Sequence, residues 1–475
     1  MLKVDQHFVT VPDLPEQTGR TPDGTPAGHI LESASTWVPR SLIPYPEPLI
    51  QSGTFYGEAR GATITIQLVE ERGDFLVMPR HLATAALPRF TGRSRLVSHI
   101  QWDEVYYEDH VTPRDPRQER AWAALSQARC GILSIACGGG KTTLACKKIA
   151  QQRVPALIIV NSEMLMEQWI DAAKQFLHLE DCDIGVVRGP TAQWDRPFVV
   201  GMIQTMAQRV EDIPTSARQR FGIVVFDEVH HLSAPQFSQV ADVFYGMRLG
   251  LSATPGRSDK LEGVYFAHLG PLFYVDTETE LPSDVFFKAM STEAPPKSRI
   301  FSWNGDLQIA NLYGYLAEDL ERNRLIAIDA ADAAAAGRKV LVLSHGIDHT
   351  EELARVIRLT CNKTVGVVTS RVLGKDKGAK RLAILRDSQI TCATFNIAKE
   401  GLNVPSIDTV LFATPFKDWG AFTQAKGRAE RAHPNKLPPL VVLYEDTKIE
   451  VCVALFRKIK RGLKDNGLTF RNVKP

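Results

Sequence analysis

From about residue 111 onward, short unbroken apolar runs alternate with amphipathic stretches. GILSIA (131–136) precedes TTLACKKIAQQ, and PALIIV (155–160) precedes EMLMEQWIDAAKQF. FVVGMI (198–203), GIVVFDE (222–228) and RLGLSAT (248–254) continue the rhythm. An unbroken run of four to six apolar residues reads as a strand covered on both faces, and strands alternating with helices read as a parallel α/β sheet. The rhythm weakens between about 276 and 316. It resumes with KVLVLSH (339–345), TVGVVTS (364–370), ITCATF (390–395), TVLFATP (409–415) and LVVLYED (440–446). The pattern predicts an α/β protein with two tandem parallel-sheet lobes, 111–280 and 281–475, and a linker near 276–316.

Residues 1–110 read differently. The first 50 or so are rich in Pro, Thr and Gly. Within 62–80, ATITIQLV alternates, ERGD supplies a turn and FLVM follows, which predicts a β-hairpin. RHLATAALPRF next predicts a short helix. This region is expected to be an α+β accessory domain.

Composition narrows the class without choosing a partner. The 475 residues suggest two to four domains, and 44% hydrophobic with 23% charged residues is ordinary for a globular protein. The formal net charge of +2 neither requires nor excludes nucleic acid, so any such surface must come from local placement of Lys and Arg. Seven cysteines without a C-x-x-C pair read as reduced thiols, not as disulfides or a zinc site. The N-terminus has no apolar signal segment, and no apolar run approaches a membrane span. The expectation is a soluble chain in the cytoplasm or at the nucleoid, without a membrane partner; a compact phage genome would suit a motor of this size.

ILSIACGGGKTT (132–143) carries the first chemistry. An apolar strand runs into Gly138, Gly139 and Gly140, then Lys141, Thr142 and Thr143 open a helix. Glycines let successive backbone N–H groups face a phosphate chain, and the helix N-terminus adds partial positive charge. Lys141 can reach the β- and γ-phosphates, and the Thr142 hydroxyl can ligate Mg²⁺. The general phosphate loop has a glycine where this chain has Ile135.

GIVVFDEVHH (222–231) places two carboxylates at a strand's end, where ligands bind in open α/β sheets. Asp227 would hold Mg²⁺ and Glu228 would orient the attacking water, the two needs of phosphoryl transfer to water. At the end of another apolar strand, Ser252 and Thr254 could couple this site to the second lobe.

In this order the motifs resemble those of superfamily 2 helicases, with Asp227-Glu228-Val229-His230 as the DExH box and the likeness spanning about 111–450. The resemblance implies two RecA-like lobes, ATP and Mg²⁺ as cofactors, and ATP hydrolysis coupled to movement on nucleic acid. LIIVNSEMLMEQW (157–169) and GMIQTM (201–206) are similar to segments that grip a nucleic-acid backbone, which implies contacts by Gln204 and Thr205. VLVLSHGIDHTEEL (340–353) and ATFNIAKEGLNVPSIDTVLFATP (393–415) resemble motifs IV and V, which implies backbone contacts at Ser344 and Thr394 and a coupling role for Gly401. His230 belongs to the same coupling set. TQAKGRAER (423–431) matches Q-x-x-G-R-x-x-R through Gln424, Gly427, Arg428 and Arg431; the two arginines are expected on one helical face, and the resemblance implies that they and Gln424 meet ATP, with Arg431 as the finger. TPRDPRQERAW (112–122) resembles the entry segment, with Gln118 reading the adenine edge.

The flanking text DEVHHLSAPQFSQV and YGMRLGLSATPGRSDKLEGVYFAHLGPLFY resembles the XPB and phage UvsW type more than the DEAD-box RNA helicases. That likeness implies a DNA helicase or translocase that remodels forked, branched or duplex DNA in replication, recombination or repair. An RNA helicase, or an ATPase switch acting on a protein complex, stays open. Arg371, Lys375 and Lys377, with Lys380 and Arg381, form a basic stretch between two strands. It reads either as a phosphate-backbone contact or as a solvated loop. Arg80, Arg89, Arg93 and Arg95 form a second basic set, read either as a junction-arm contact or as packing.

Overall fold

The structure, a computed structural model, describes residues 31–473 except 33, 44, 60–61, 88–101, 137, 254–260, 279–280, 373–376, 396–403 and 417–418. The chain divides into two compact units with the main boundary at Thr277/Glu278, the short stretch Ala136–Gly139 grouping with the second.

The N-terminal strands β1 (Leu31–Glu32), β2 (Thr36–Pro39), β3 (Thr54–Ala59), β4 (Ala62–Gln67), β5 (Glu70–Arg72) and β6 (Phe75–Met78) form two antiparallel sheets. One has the order β1-β2-β6-β5 and the other pairs β3 with β4. The expected hairpin is therefore corrected. The ERGD turn does join two strands, β5 and β6, but ATITIQ pairs with TFYGEA of β3. The chain leaves the ladder at Leu68–Val69, where the Leu68 N–H donates to the Gly53 carbonyl and Val69 is fully buried.

The predicted helix spans Arg80–Ala86. Its Leu82 and Ala83 share a buried cluster with Val38, Leu76, Met78 and Ala267, the last on the helix Glu262–Leu269. Arg80 donates from its guanidinium to the carbonyls of Tyr245 (2.8 Å) and Gly246 (2.5 Å). Gly263 has its Cα turned against Phe55, where a Cβ would stand 2.2 Å from the ring. These contacts make the accessory strands part of the first compact unit.

The central sheet of that unit contains β7 (Gly131–Ile135), β8 (Ala156–Val160), β9 (Ile184–Arg188), β10 (Thr191–Ala192), β11 (Phe198–Met202), β12 (Ile223–Asp227), β13 (Met247–Ser252) and β14 (Leu272–Asp276). Its order is β10-β9-β11-β8-β12-β13-β7-β14, parallel except at β10. Leu133, Ile158, Val200 and Val225 pack on one face, while Ile132, Leu157, Val199 and Val224 pack on the other. Burial on both faces explains why these strands read as unbroken apolar runs.

The second unit holds β15 (Asp284–Met290), β16 (Val340–Ser344), β17 (Val365–Val368), β18 (Ile390–Thr394), β19 (Thr409–Phe412), β20 (Leu440–Asp446) and β21 (Arg471–Val473). They form a parallel sheet in the order β17-β18-β16-β19-β20-β15-β21. The expected linker near 276–316 is corrected by β15, which lies inside this sheet. DVFFKAM buries Val285, Phe287 and Met290, and Lys288 pairs with Asp329 at 2.8 Å. Two further helices, Lys297–Ile300 and Ile309–Glu318, occupy the same stretch. The Ala-rich sequence ADAAAAG (331–337) ends the helix Leu320–Ala335, with Gly337 at φ 85°.

Candidate nucleotide site and nucleic-acid residues

In the first unit, β7 delivers the chain into the phosphate loop and the helix Lys141–Gln152 carries it away. Gly138 and Gly140 take φ of 84° and 89°, left-handed values that let a turn this tight close without a Cβ penalty. The Lys141 ammonium donates to the Ile135 carbonyl at 2.8 Å, which holds it across the mouth of the loop. Thr142 and Thr143 occupy the first turn of the helix, as the sequence places them.

Gln118 comes to the same loop by a different route. Asp115 caps the helix Pro116–Gln127 by accepting from the N–H groups of Arg117 and Gln118. Gln118 is buried, and its Oε1 accepts from the Arg114 N–H at 3.1 Å. A Cβ on Gly140 would stand 2.3 Å from Gln118 Nε2, so the side chain lies directly against the loop.

The acidic pair closes the other side. β12 and β13 are neighbours, and β13 in turn pairs with β7, which brings Asp227, Ser252 and the loop to one carboxyl edge. The indole N–H of Trp169 donates to Asp227 Oδ2 at 2.9 Å, and the Glu228 backbone N–H donates to Oδ1 at 2.9 Å. Burial and the neighbouring Glu228 carboxylate hold Asp227 above the usual carboxylate range, while Trp169 and Lys141 oppose that shift. Glu228 sits at φ 50°, ψ 57°, a left-handed conformation that a non-glycine residue adopts at a cost of about 1–3 kcal/mol. His230 Nδ1 lies 3.4 Å from Glu228 Oε2. Ser252 is fully buried beside Ser134 in the register of β13 and β7. Thr254 lies outside the described residues.

The oxygen donors fit a hard divalent cation. Asp227, Glu228 and Thr142 offer carboxylate and hydroxyl oxygens, and a cation there relieves the like-charge repulsion that raises Asp227. Trp169 is fully buried and also orients the carboxylate. The available signal was the rule that a buried indole N–H finds an acceptor.

The Gln204 and Thr205 side chains are engaged within the first unit. Gln204 Nε2 donates to the Asn161 carbonyl at 2.8 Å, and Thr205 Oγ1 accepts from the Gly189 N–H at 3.1 Å. Both bonds tie strand ends of the sheet together at its carboxyl edge.

In the second unit, several expectations change. Ser344 is buried and its hydroxyl pairs with His349 Nδ1 at 2.9 Å, while His349 Nε2 meets Asn323 Oδ1 at 2.9 Å. Burial pushes His349 down to about 3, so the ring is neutral and Ser344 belongs to an internal network, not to a nucleic-acid surface. Thr394 is likewise buried, at the end of β18. Arg371 is exposed but pairs with Asp348 (2.6 Å) and Glu351 (2.5 Å), which neutralises it locally. Arg80 is a packing residue, engaged with the two carbonyls above, not a basic surface. Lys375, Gly401, Arg89, Arg93, Arg95 and the Lys377 side chain lie outside what the structure describes.

The motif VI helix spans Trp419–Ala429 and buries Gln424, Lys426 and Arg428. Arg431 lies two residues beyond its end, so the expectation of two arginines on one helical face is corrected. The stop has local causes. Lys436 Nζ donates to the Arg431 and Pro405 carbonyls (2.7 and 2.8 Å), and Pro434 disfavours helical geometry at His433. Glu430 accepts from Ser283 Oγ at 2.8 Å and pairs with the buried Lys426. The sequence reading also missed a ring stack in which His345 lies on Tyr313 (centroids 4.4 Å) and on Phe395 (4.6 Å).

Comparison with known proteins gives two family matches. Residues 110–257 match the model described as type III restriction enzyme, res subunit, and residues 322–433 match the helicase conserved C-terminal domain. A protein of Acanthamoeba polyphaga mimivirus named "Putative ATP-dependent RNA helicase" is 26% identical over 79% of this chain and 72% of its own length. A DNA 3'-5' translocase XPB2 of Sulfurisphaera tokodaii is 32% identical over 37% of this chain and 38% of its own length. The chain thus spans well under half of that XPB relative. Saccharomyces cerevisiae Dbp5 bound to RNA and ADP BeF3 shares the fold, with a TM-score of 0.55 and 12% identity over 75% of this chain and 88% of Dbp5. With a phosphate loop and a DExH box at one sheet edge, a second RecA-like lobe and XPB helicases among its relatives, the chain belongs to the ATP-hydrolysing helicases of superfamily 2.

Proposed function

We propose that this chain is an ATP-driven DNA translocase that remodels forked, branched or duplex DNA. The observation that carries the ATP half is the gathering of Gln118, Lys141 and Asp227 at one carboxyl edge, with Trp169 fixing the carboxylate. The DNA half is supported by the XPB-type translocase, the relative with 32% identity.

In this reading Gly138, Gly139 and Gly140 surround the phosphates, Lys141 bridges the β- and γ-oxygens and Gln118 meets the adenine edge. Thr142 and Asp227 would hold Mg²⁺, which when bound would neutralise charge on the phosphate oxygens. Glu228 takes a proton from the attacking water and orients it toward the γ-phosphorus. Arg428 and Arg431 of motif VI are the guanidinium groups that the resemblance assigns to ATP hydrolysis, with Arg431 in the finger role. His230, beside Glu228, links occupancy of this site to the polymer.

One observation favours a second polymer: the viral relative covering 79% of this chain is named as an RNA helicase. Strand-separation assays on forked DNA, blunt duplex DNA, a DNA Holliday junction and forked RNA decide between them. ATP-dependent remodelling of the forked or junction DNA, with forked RNA left intact, is the expected result. Separation of the RNA fork alone would overturn the DNA assignment.

A further inference from the structure

Between β15 and the helix Ile309–Glu318, the chain makes a small hairpin with Trp303 at its tip. Trp303 is 99% exposed. The hairpin is well tied. Phe301 and Leu307 form an antiparallel bridge, the Ser302 N–H donates to the Asp306 carbonyl at 2.9 Å, and the Gln308 N–H donates to the Ile300 carbonyl at 2.8 Å. Asn304 Nδ2 donates to Asp306 Oδ2 at 2.7 Å, the Asp306 N–H donates to Ser302 Oγ at 3.1 Å, and Gly305 supplies the left-handed turn position at φ 86°. Beneath it, Ile300 is buried in a cluster with Leu312, Leu316, Ile449 and Cys452. A rigid plinth therefore presents an aromatic side chain that folding alone would bury, since an indole carries roughly 150–250 Å² of surface.

The place of the hairpin points to its occupant. β15, β16, β18 and β19 run parallel, so Met290, Ser344, Thr394 and Phe412 end at one edge of the sheet. The hairpin follows Met290 from that edge. The helix after it brings Tyr313 back to the edge, onto His345 of motif IV. Carboxyl edges of parallel sheets are where ligands bind. Beside Trp303 opens a cavity of about 900 Å³ lined by Pro295, Phe301, Ile449, Lys297 and Lys448. Apolar walls with an ammonium at the rim suit a flat aromatic ring attached to a phosphate. Lys448 also pairs with Glu293, so the site is not a general polyanion surface.

We propose that Trp303 and this cavity form a stacking site for an unpaired nucleobase of single-stranded DNA. The assignment rests on the nucleic-acid motor reading above. Base-on-indole stacking needs no sequence-specific hydrogen bonds, so the site serves any base that leaves the duplex.

The test uses the full-length chain and a fluorescein-labelled oligothymidylate of about 15 nucleotides, read by anisotropy. Trp303→Ala should weaken binding by about 5- to 150-fold, the equivalent of roughly 1–3 kcal/mol for one stacked base. Trp303→Leu should behave like the alanine variant, and Trp303→Phe should retain most of the affinity. On an abasic oligonucleotide the variants should bind like the wild type. ATP hydrolysis without nucleic acid should be the same in all of them.

Wild-type affinity in Trp303→Ala, or in Trp303→Leu, would overturn the stacking site while leaving the motor reading intact. A shift in sedimentation velocity on Trp303→Ala, with unchanged DNA affinity, would overturn it in favour of protein docking. Failure of the wild type to bind any nucleic acid would overturn both readings.

Discussion

The indole Nε1 of Trp169 donates to Asp227 Oδ2 at 2.9 Å, joining the helix Glu163–Leu177 to the end of β12. A hydrogen bond to a charged acceptor contributes about 1.5–3 kcal/mol. It favours the ionised carboxylate, the form that would hold a cation. Trp169→Phe keeps an aromatic ring in the core and removes the donor. Its kcat/KM for ATP should fall by roughly 10-fold or more. The acidic limb of its pH–rate profile should move to higher pH, because Asp227 loses a bond that lowers its pKa. A slower enzyme with an unmoved acidic limb would assign Trp169 to packing alone.

Burial and Glu228 raise Asp227 in the folded state, so the folded chain without metal binds this proton more tightly than the unfolded chain. That carboxyl therefore adds stability below its ordinary pKa of 3.8, and the contribution is lost as pH rises through the raised value. Without Mg²⁺ and nucleotide, Asp227→Asn should melt higher than the wild type near neutral pH. The difference should shrink toward pH 4, where the wild-type carboxyl is protonated too. A constant difference in Tm across this range would contradict the assignment. Addition of Mg²⁺ and a non-hydrolysable ATP analogue should reverse the order at neutral pH.

Gly140 combines φ of 89° with a site where a Cβ would stand 2.3 Å from Gln118 Nε2. Gly140→Ala faces a left-handed penalty of about 1–2 kcal/mol and displaces the glutamine. ATP affinity should drop by at least 10-fold, measured by titration calorimetry, with the chain still folded by circular dichroism. Gln118→Ala should weaken ATP more than GTP, since only the adenine edge loses its partner. Equal losses for the two nucleotides would remove the base-reading role.

Arg322 and Asp446 form a fully buried pair, with Nε to Oδ1 at 2.9 Å and Nη2 to Oδ2 at 3.2 Å. Arg322 Nη1 also donates to the Ala413 carbonyl at 2.7 Å, so one guanidinium ties a helix to two strand ends of the second sheet. Breaking such a pair leaves an uncompensated buried charge and costs about 3–5 kcal/mol. Asp446→Ala should destabilise the second unit by that amount in urea unfolding. Arg322→Met with Asp446→Leu should recover much of the loss. A double variant as unstable as the single one would show that the hydrogen bonds, not the charges, dominate.

The sequence makes local chemistry legible and long-range pairing hard to see. Gly138 to Thr142 and Asp227-Glu228 were readable because a phosphate loop and a strand-end acidic pair are contiguous and sit between a strand and a helix. The parallel sheets were readable because strands buried on both faces leave unbroken apolar runs. β15 reads as linker in the sequence because DVFFKAM mixes Asp and Lys into its run, and Lys288 is accommodated through Asp329, 41 residues away. ATITIQ found its strand partner upstream in β3, not across the ERGD turn, because the bend at Leu68–Val69 is a tertiary effect. Ser344 and Arg80 looked available because a sequence shows a hydroxyl or a guanidinium but not the His349 ring or the carbonyls that occupy it. The helix stop before Arg431 was visible in part, through Pro434, but the Lys436 bonds that hold it were not.

The most direct test of the motor account is ATP turnover by the wild type and Glu228→Gln, with and without forked DNA. The account predicts wild-type hydrolysis that rises at least about 10-fold with the fork. It predicts a Glu228→Gln variant that binds ATP normally and turns over roughly 10²–10⁴-fold more slowly, the usual contribution of a positioned general base. Wild-type hydrolysis indifferent to DNA, or a Glu228→Gln variant at wild-type speed, would contradict it.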